Sequence, residues 1–88
     1  MIRNAQFIMR VVVDKQVIVP VGEAAENFHG MLSVNTTGAY IWELLEKEQT
    51  EESLAQALAE KYEVSVQIAL SDVRHFLGKL RKVGAITE

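Results

Sequence analysis

The stretch Ser33–Leu45, "SVNTTGAYIWELL", decides how this chain folds. It opens as the end of a strand, passes through Asn-Thr-Thr-Gly, and continues with apolar residues at helical spacing. Asn35 or Thr36 suits the cap of a helix, because a short side-chain oxygen accepts from a first-turn N–H that has no partner inside the helix. That helix is expected to reach about Glu46, with Tyr40, Ile41, Leu44 and Leu45 on its buried stripe. Gly38, early in the helix, costs on the order of 1 kcal/mol relative to alanine, and close packing at that point is a sufficient reason for it. Trp42 is the chain's one tryptophan. It reads as core, anchoring the helix to the sheet that precedes it.

Upstream of the junction the residues read as strands. Phe7–Val13, "FIMRVVV", is short and rich in β-branched side chains. Asp14-Lys15 is expected to form a tight turn into a second strand, Gln16–Val21. Pro20 confines that part to a strand end or edge, since it cannot donate to a ladder. Gly22–Asn27 reads as a loop or one short helical turn. Phe28–Val34 is expected as a third strand, with Phe28, Gly30, Leu32 and Val34 on one face at period two. Gly30 weakens it, at a bulge or a close backbone approach.

Downstream, Thr50 is placed to cap a helix over Glu51–Tyr62, whose early acids Glu51 and Glu52 suit the N-terminal dipole. Leu54, Leu58 and Tyr62 share one face. Ser65 is placed to cap a third helix from about Val66 to Val83, with apolar residues at sustained three-four spacing. Gly84 is a natural stop, and Ala85-Ile86-Thr87 returns to the sheet or core. Three strands followed by three helices define an α+β, winged-helix-like domain: a three-stranded antiparallel sheet, then three helices.

With 88 residues, one domain over 1–88 is expected. So short a chain buries a modest share of its surface, but 49% hydrophobic residues suffice for a core. The net charge of -3 argues against a dedicated nucleic-acid binder, for which a basic domain is expected. The absence of cysteine excludes disulfides, thiolate catalysis and Cys-type metal sites, and fits a reducing cytoplasm. The opening "MIRNAQFIMRVVVDK" is interrupted by Arg10 and Asp14 and does not read as a secretory signal. No run approaches the roughly 20 apolar residues of a membrane helix. A cytoplasmic protein without a membrane partner is the expectation.

Catalytic constellations are not evident. His29 and His75 cannot make a zinc site by themselves. The serines lack a nucleophile-elbow context and a base, and Gly38 has no phosphate-loop lysine near it. Neither an enzyme nor a resident cofactor is expected. Cations gather on the third helix: Arg74, His75, Lys79, Arg81 and Lys82, against Asp72 alone. Three readings stay open. They form a solvated face that complements the helix dipole, the recognition helix of a winged-helix DNA-binding regulator, or one wall of a groove for an acidic peptide. The acidic remainder of the chain opposes the phosphate attraction that the second requires.

Three segments together, "VNTTGAYIWELL", "TEESLAQALAEKYEVS" and "VRHFLGKLRKVGAI", resemble the coenzyme PQQ synthesis protein D (PqqD-like) family. The resemblance covers roughly Phe7 to Ile86. Its most specific part is Asn35, Gly38, Ile41 and Trp42 directly after a strand, with Leu54, Leu58, Tyr62, Phe76, Leu77, Leu80, Gly84 and Ile86 in support. It implies the same fold and a non-catalytic recognition element for ribosomally made, post-translationally modified peptides. Such an element holds the leader of a precursor peptide and presents it to a modifying enzyme, often a radical SAM enzyme. The family extends beyond the PQQ pathway. The resemblance implies that the leader adds as a strand beside the third strand, in the cleft shared with the third helix. The expected peptide-binding residues are Phe28, His29, Gly30, Met31, Leu32, Ser33 and Val34 on the edge, with Asp72, Val73, Phe76, Lys79 and Leu80 on the helix. An exposed edge also allows pairing with a second copy, so a homodimer is a further reading.

Overall fold

The computed structural model describes residues 1–27 and 30–88. In chain order the elements are β1 (Ile2–Arg3), β2 (Phe7–Val12), β3 (Lys15–Pro20), α1 (Glu23–Asn27), β4 (Leu32–Val34), α2 (Thr36–Leu44), α3 (Glu51–Tyr62), α4 (Val66–Val83) and β5 (Ile86–Thr87). β2, β3 and β4 form a three-stranded antiparallel sheet in that order, and β1 pairs with β5 in a separate antiparallel ribbon. The three long helices follow the sheet. The architecture is the expected α+β, winged-helix-like one.

The β2–β3 hairpin turns at Val13-Asp14, one residue earlier than Asp14-Lys15. Both turn residues have positive φ, 48° and 65°, as a two-residue type I′ turn requires. Pro20 explains the choice. In a two-residue hairpin the flanking residues exchange both backbone hydrogen bonds, and such pairs alternate along the ladder. A turn at Asp14-Lys15 would put Pro20 in a hydrogen-bonded pair with Met9, where it has no N–H to donate. With Val12 paired to Lys15, Phe7 falls opposite Pro20 in a pair that exchanges no bonds. The Val21 N–H to Gln6 carbonyl bond, 2.7 Å, continues the same alternation.

Pro20 also shortens the third strand. The expected span is Phe28–Val34; the observed one is Leu32–Val34. Gln16 and Ile18 face β4 and pair with Val34 and Leu32. Two residues further on, Pro20 faces the position of Gly30 and cannot donate, so the ladder ends. Gly30 and Met31 are exposed and precede the strand. Phe28 and His29 lie outside the described residues.

The helix caps follow from sequence. The Asn35 side chain accepts from Gly38 N–H at 2.8 Å. Thr50 and Ser53 form a reciprocal capping box, and Ser65 accepts from Ile68 N–H. Gly84, at φ 78°, closes α4. Glu23–Asn27 takes the short helical alternative. The core lies between one sheet face and the helices. It is centred on Ile18, Ile41, Trp42, Leu45, Leu54, Leu58, Val73, Phe76, Leu77 and Leu80. Trp42 is 2% exposed. Arg3 spans it, donating to its carbonyl at 3.2 Å and placing its guanidinium 5.6 Å from the ring centroid. The ribbon of β1 and β5 goes beyond the expected return of Ala85-Ile86-Thr87, because two-residue strands carry no periodicity.

Candidate functional site: a groove between the β4 edge and helix α4

The sheet leaves β4 as an edge strand among the described residues. The alternation set by the hairpin turns the backbone groups of Leu32 and Val34 toward β3, and those of Ser33 away from it. Ser33 therefore offers one N–H and one C=O outward. An unpaired pair of this kind is what an added strand uses.

A groove of about 680 Å³ runs beside this edge. One wall is Ser33, Val34 and the start of α2, Asn35–Gly38. The facing wall is Asp72, His75, Phe76 and Lys79 of α4, residues i, i+3, i+4 and i+7 on one helical stripe. Asp14 of the hairpin turn and Lys15 and Gln16 at the start of β3 close one end, and Ile41 lies at the floor.

Gly38 lets these walls meet. A Cβ placed there would lie 2.9 Å from Phe76 Cε1 and 3.0 Å from Val34 Cγ1. A Cβ that close would force the Phe76 ring and Val34 to shift, so hydrogen at this position lets α2, β4 and α4 approach as closely as they do. Phe76 is thereby pinned, 8% exposed, between the core and the groove.

The expected site residues divide into three sets. Ser33, Val34, Asp72, Phe76 and Lys79 line the groove. Val73 and Leu80 are fully buried in the core and do not reach it. Leu32 is half-buried within β4, while Gly30 and Met31 lie before the strand, and Phe28 and His29 fall outside the described residues. The turn residue Asp14, Lys15 and Gln16 at the start of β3, the α2 start, Ile41 and His75 are additions to the expected site. The stripe spacing of His75 with Asp72 and Lys79 is the one sequence signal that could have found any of them.

The cations of α4 do not form one patch. Arg74 Nε donates to Glu51 Oε1 at 3.0 Å, and Arg81 Nε to Glu88 Oε1 at 2.6 Å. Lys79 faces the groove and Lys82 a different hollow, beside Glu23. No group of three or more His, Asp or Glu among the described residues is placed to hold a metal. No helix among them is long and apolar enough to cross a membrane.

Fold and groove define a class: a small winged-helix-like domain in which, among the described residues, the outer strand β4 lies unpaired on one side beside the last long helix. The chain belongs to the family described as Coenzyme PQQ synthesis protein D (PqqD), matched over residues 14–86. The match begins in the hairpin turn and takes in the whole groove. Among solved structures, the chain is similar to one described as "TbiB1 in Complex with the TbiA(beta) Leader Peptide", with 21% identity, a TM-score of 0.73, and coverage of 97% of this chain and 93% of that one. At that identity the likeness speaks for the fold. No curated protein matches the chain.

Proposed function

We propose that this protein is a non-catalytic adaptor, a single domain over 1–88, that binds the leader segment of a ribosomally made precursor peptide. The leader adds as a strand to β4, and the adaptor presents it in the cytoplasm to a modifying enzyme, a radical SAM enzyme being the class the family suggests. The observation that carries this reading is the outward backbone pair of Ser33 beside a groove walled by Phe76. Family membership supports it, as does the leader peptide bound to the structurally similar TbiB1. The DNA-binding alternative is weakened by the pairing of Arg74 and Arg81 with carboxylates.

The test is a titration with the leader encoded beside the gene, using the wild type, Ser33→Ala and Ser33→Pro. Proline at 33 removes the outward N–H and leaves every β3–β4 bond in place. Ser33→Ala should bind like the wild type, with the Ser33 and Val34 amides shifting in the wild type. Ser33→Pro should keep its thermal midpoint and lose at least tenfold in affinity. Full binding by a folded Ser33→Pro variant would overturn strand addition, and no binding by the wild type would overturn the adaptor reading.

A further inference from the structure

The groove has a polarity, and it can be read from the order of elements around it. The C-terminal turn of α4 shares a hollow with Gln6 and Phe7, through Lys82, Val83 and Gly84. Gln6 accepts from Val21, just past the end of β3. Along β3 that end is closer to Ile18, which pairs with Leu32, while Gln16, nearer the turn, pairs with Val34. Helix α4 therefore runs from the hairpin turn toward the Leu32 end, opposite in direction to β4. Its groove-facing stripe presents Asp72 first, at the hairpin end, then Phe76, then Lys79 at the other end.

Asp72 and Lys79 are exposed, and neither has an ion-pair partner among the described residues. At the hairpin end Asp14 and Lys15 offset each other and leave Asp72 as the surplus charge. His75 lies between the two ends. Seven helical residues advance about 10 Å. Four residues of an extended guest advance about 13 Å, and its alternate side chains face one side. Long side chains absorb the difference, so three alternate guest side chains match the wall.

We propose that the groove selects its peptide by charge order: a basic residue, then an apolar one two positions on, then an acidic one two positions further. The basic side chain meets Asp72, the apolar one Phe76, and the acidic one Lys79. The order follows from an antiparallel guest, the more stable pairing per residue, which must run parallel to α4. This rests on the strand-addition reading and adds to it which residues set specificity.

Two synthetic peptides of identical composition test it, one carrying Lys-Thr-Phe-Thr-Glu and the other Glu-Thr-Phe-Thr-Lys within the same alternating Thr/Val flanks. Affinities are taken from amide-shift titrations of the full chain at low salt, for the wild type and for Asp72→Lys/Lys79→Asp. Both substitutions are on exposed side chains, and the spectrum of the free variant reports its fold. Exposed pairs are individually weak, so the first peptide should bind the wild type roughly three- to tenfold more tightly than the second. The preference should invert in the double variant and shrink toward unity in 1 M salt. Equal affinities in both proteins would overturn the charge-order proposal and leave strand addition standing. A wild-type preference for the second peptide would overturn the antiparallel assignment. If neither peptide binds at millimolar concentration, the charge-order proposal falls, and the leader titration decides strand addition by itself.

Discussion

Gly38 and Gly78 offer a controlled comparison inside one protein. Both lie in helices, α2 and α4. In an exposed helix, glycine to alanine stabilises by about 0.8–1 kcal/mol, through lost unfolded-state freedom and better propensity. Gly78 meets that condition: it is exposed, and a Cβ there would have nothing within 4 Å. At Gly38 the same methyl would press on Phe76 Cε1 at 2.9 Å, Val34 Cγ1 at 3.0 Å and Phe76 Cδ1 at 3.2 Å. Val34 and Phe76 are themselves buried, so relief requires moving a ring in a filled core, at about 1–3 kcal/mol. Gly78→Ala should therefore stabilise by about 1 kcal/mol, and Gly38→Ala should be neutral to destabilising by about 2 kcal/mol. At roughly 4–8 °C per kcal/mol for a domain of this size, the thermal midpoints should differ by on the order of 5–20 °C. Thermal and urea unfolding followed by circular dichroism measure both. Because the displaced ring is a groove wall, Gly38→Ala should also shift the Asp72–Lys79 amides in the folded state, and Gly78→Ala should leave the facing wall of β4 untouched. If Gly38→Ala proves as stabilising as Gly78→Ala, α2 and α4 do not meet as described, and the groove's geometry fails with them.

Two further substitutions probe the frame. Val13 holds φ 48° at 89% exposure, a conformation that β-branched residues resist, so Val13→Asn should raise stability by about 1 kcal/mol in urea titration. A loss of stability would show that the turn is not of the I′ type. Trp42→Ala removes a nearly fully buried ring, a loss of about 3–5 kcal/mol. Set against a total of about 5–15 kcal/mol for a small domain, this should lower the thermal midpoint by more than about 10 °C. A midpoint within a few degrees of the wild type by calorimetry would remove Trp42 from the core.

Much of this molecule was decided locally and could be read from the chain. The caps at Asn35, Thr50 and Ser65 and the stop at Gly84 each satisfy backbone groups a few residues away, so residue type and spacing suffice to place them. The change of period at Asn35 and the burial of Trp42 are of the same kind. What needed the tertiary structure is the consequence of register and rotation. Pro20 announced a strand end or an edge; it is the end of the central strand β3, and the turn that puts it there is the one whose pairing spares a proline its missing N–H. Helix α4 shows a clear apolar face in sequence. Only its rotation against β4 separates Val73 and Leu80, in the core, from Asp72, Phe76 and Lys79, on the groove. The polarity of that groove joins residues from three distant parts of the chain. No local rule relates them, because what aligns them is the register of β4 on β3 and the direction in which α4 crosses the sheet.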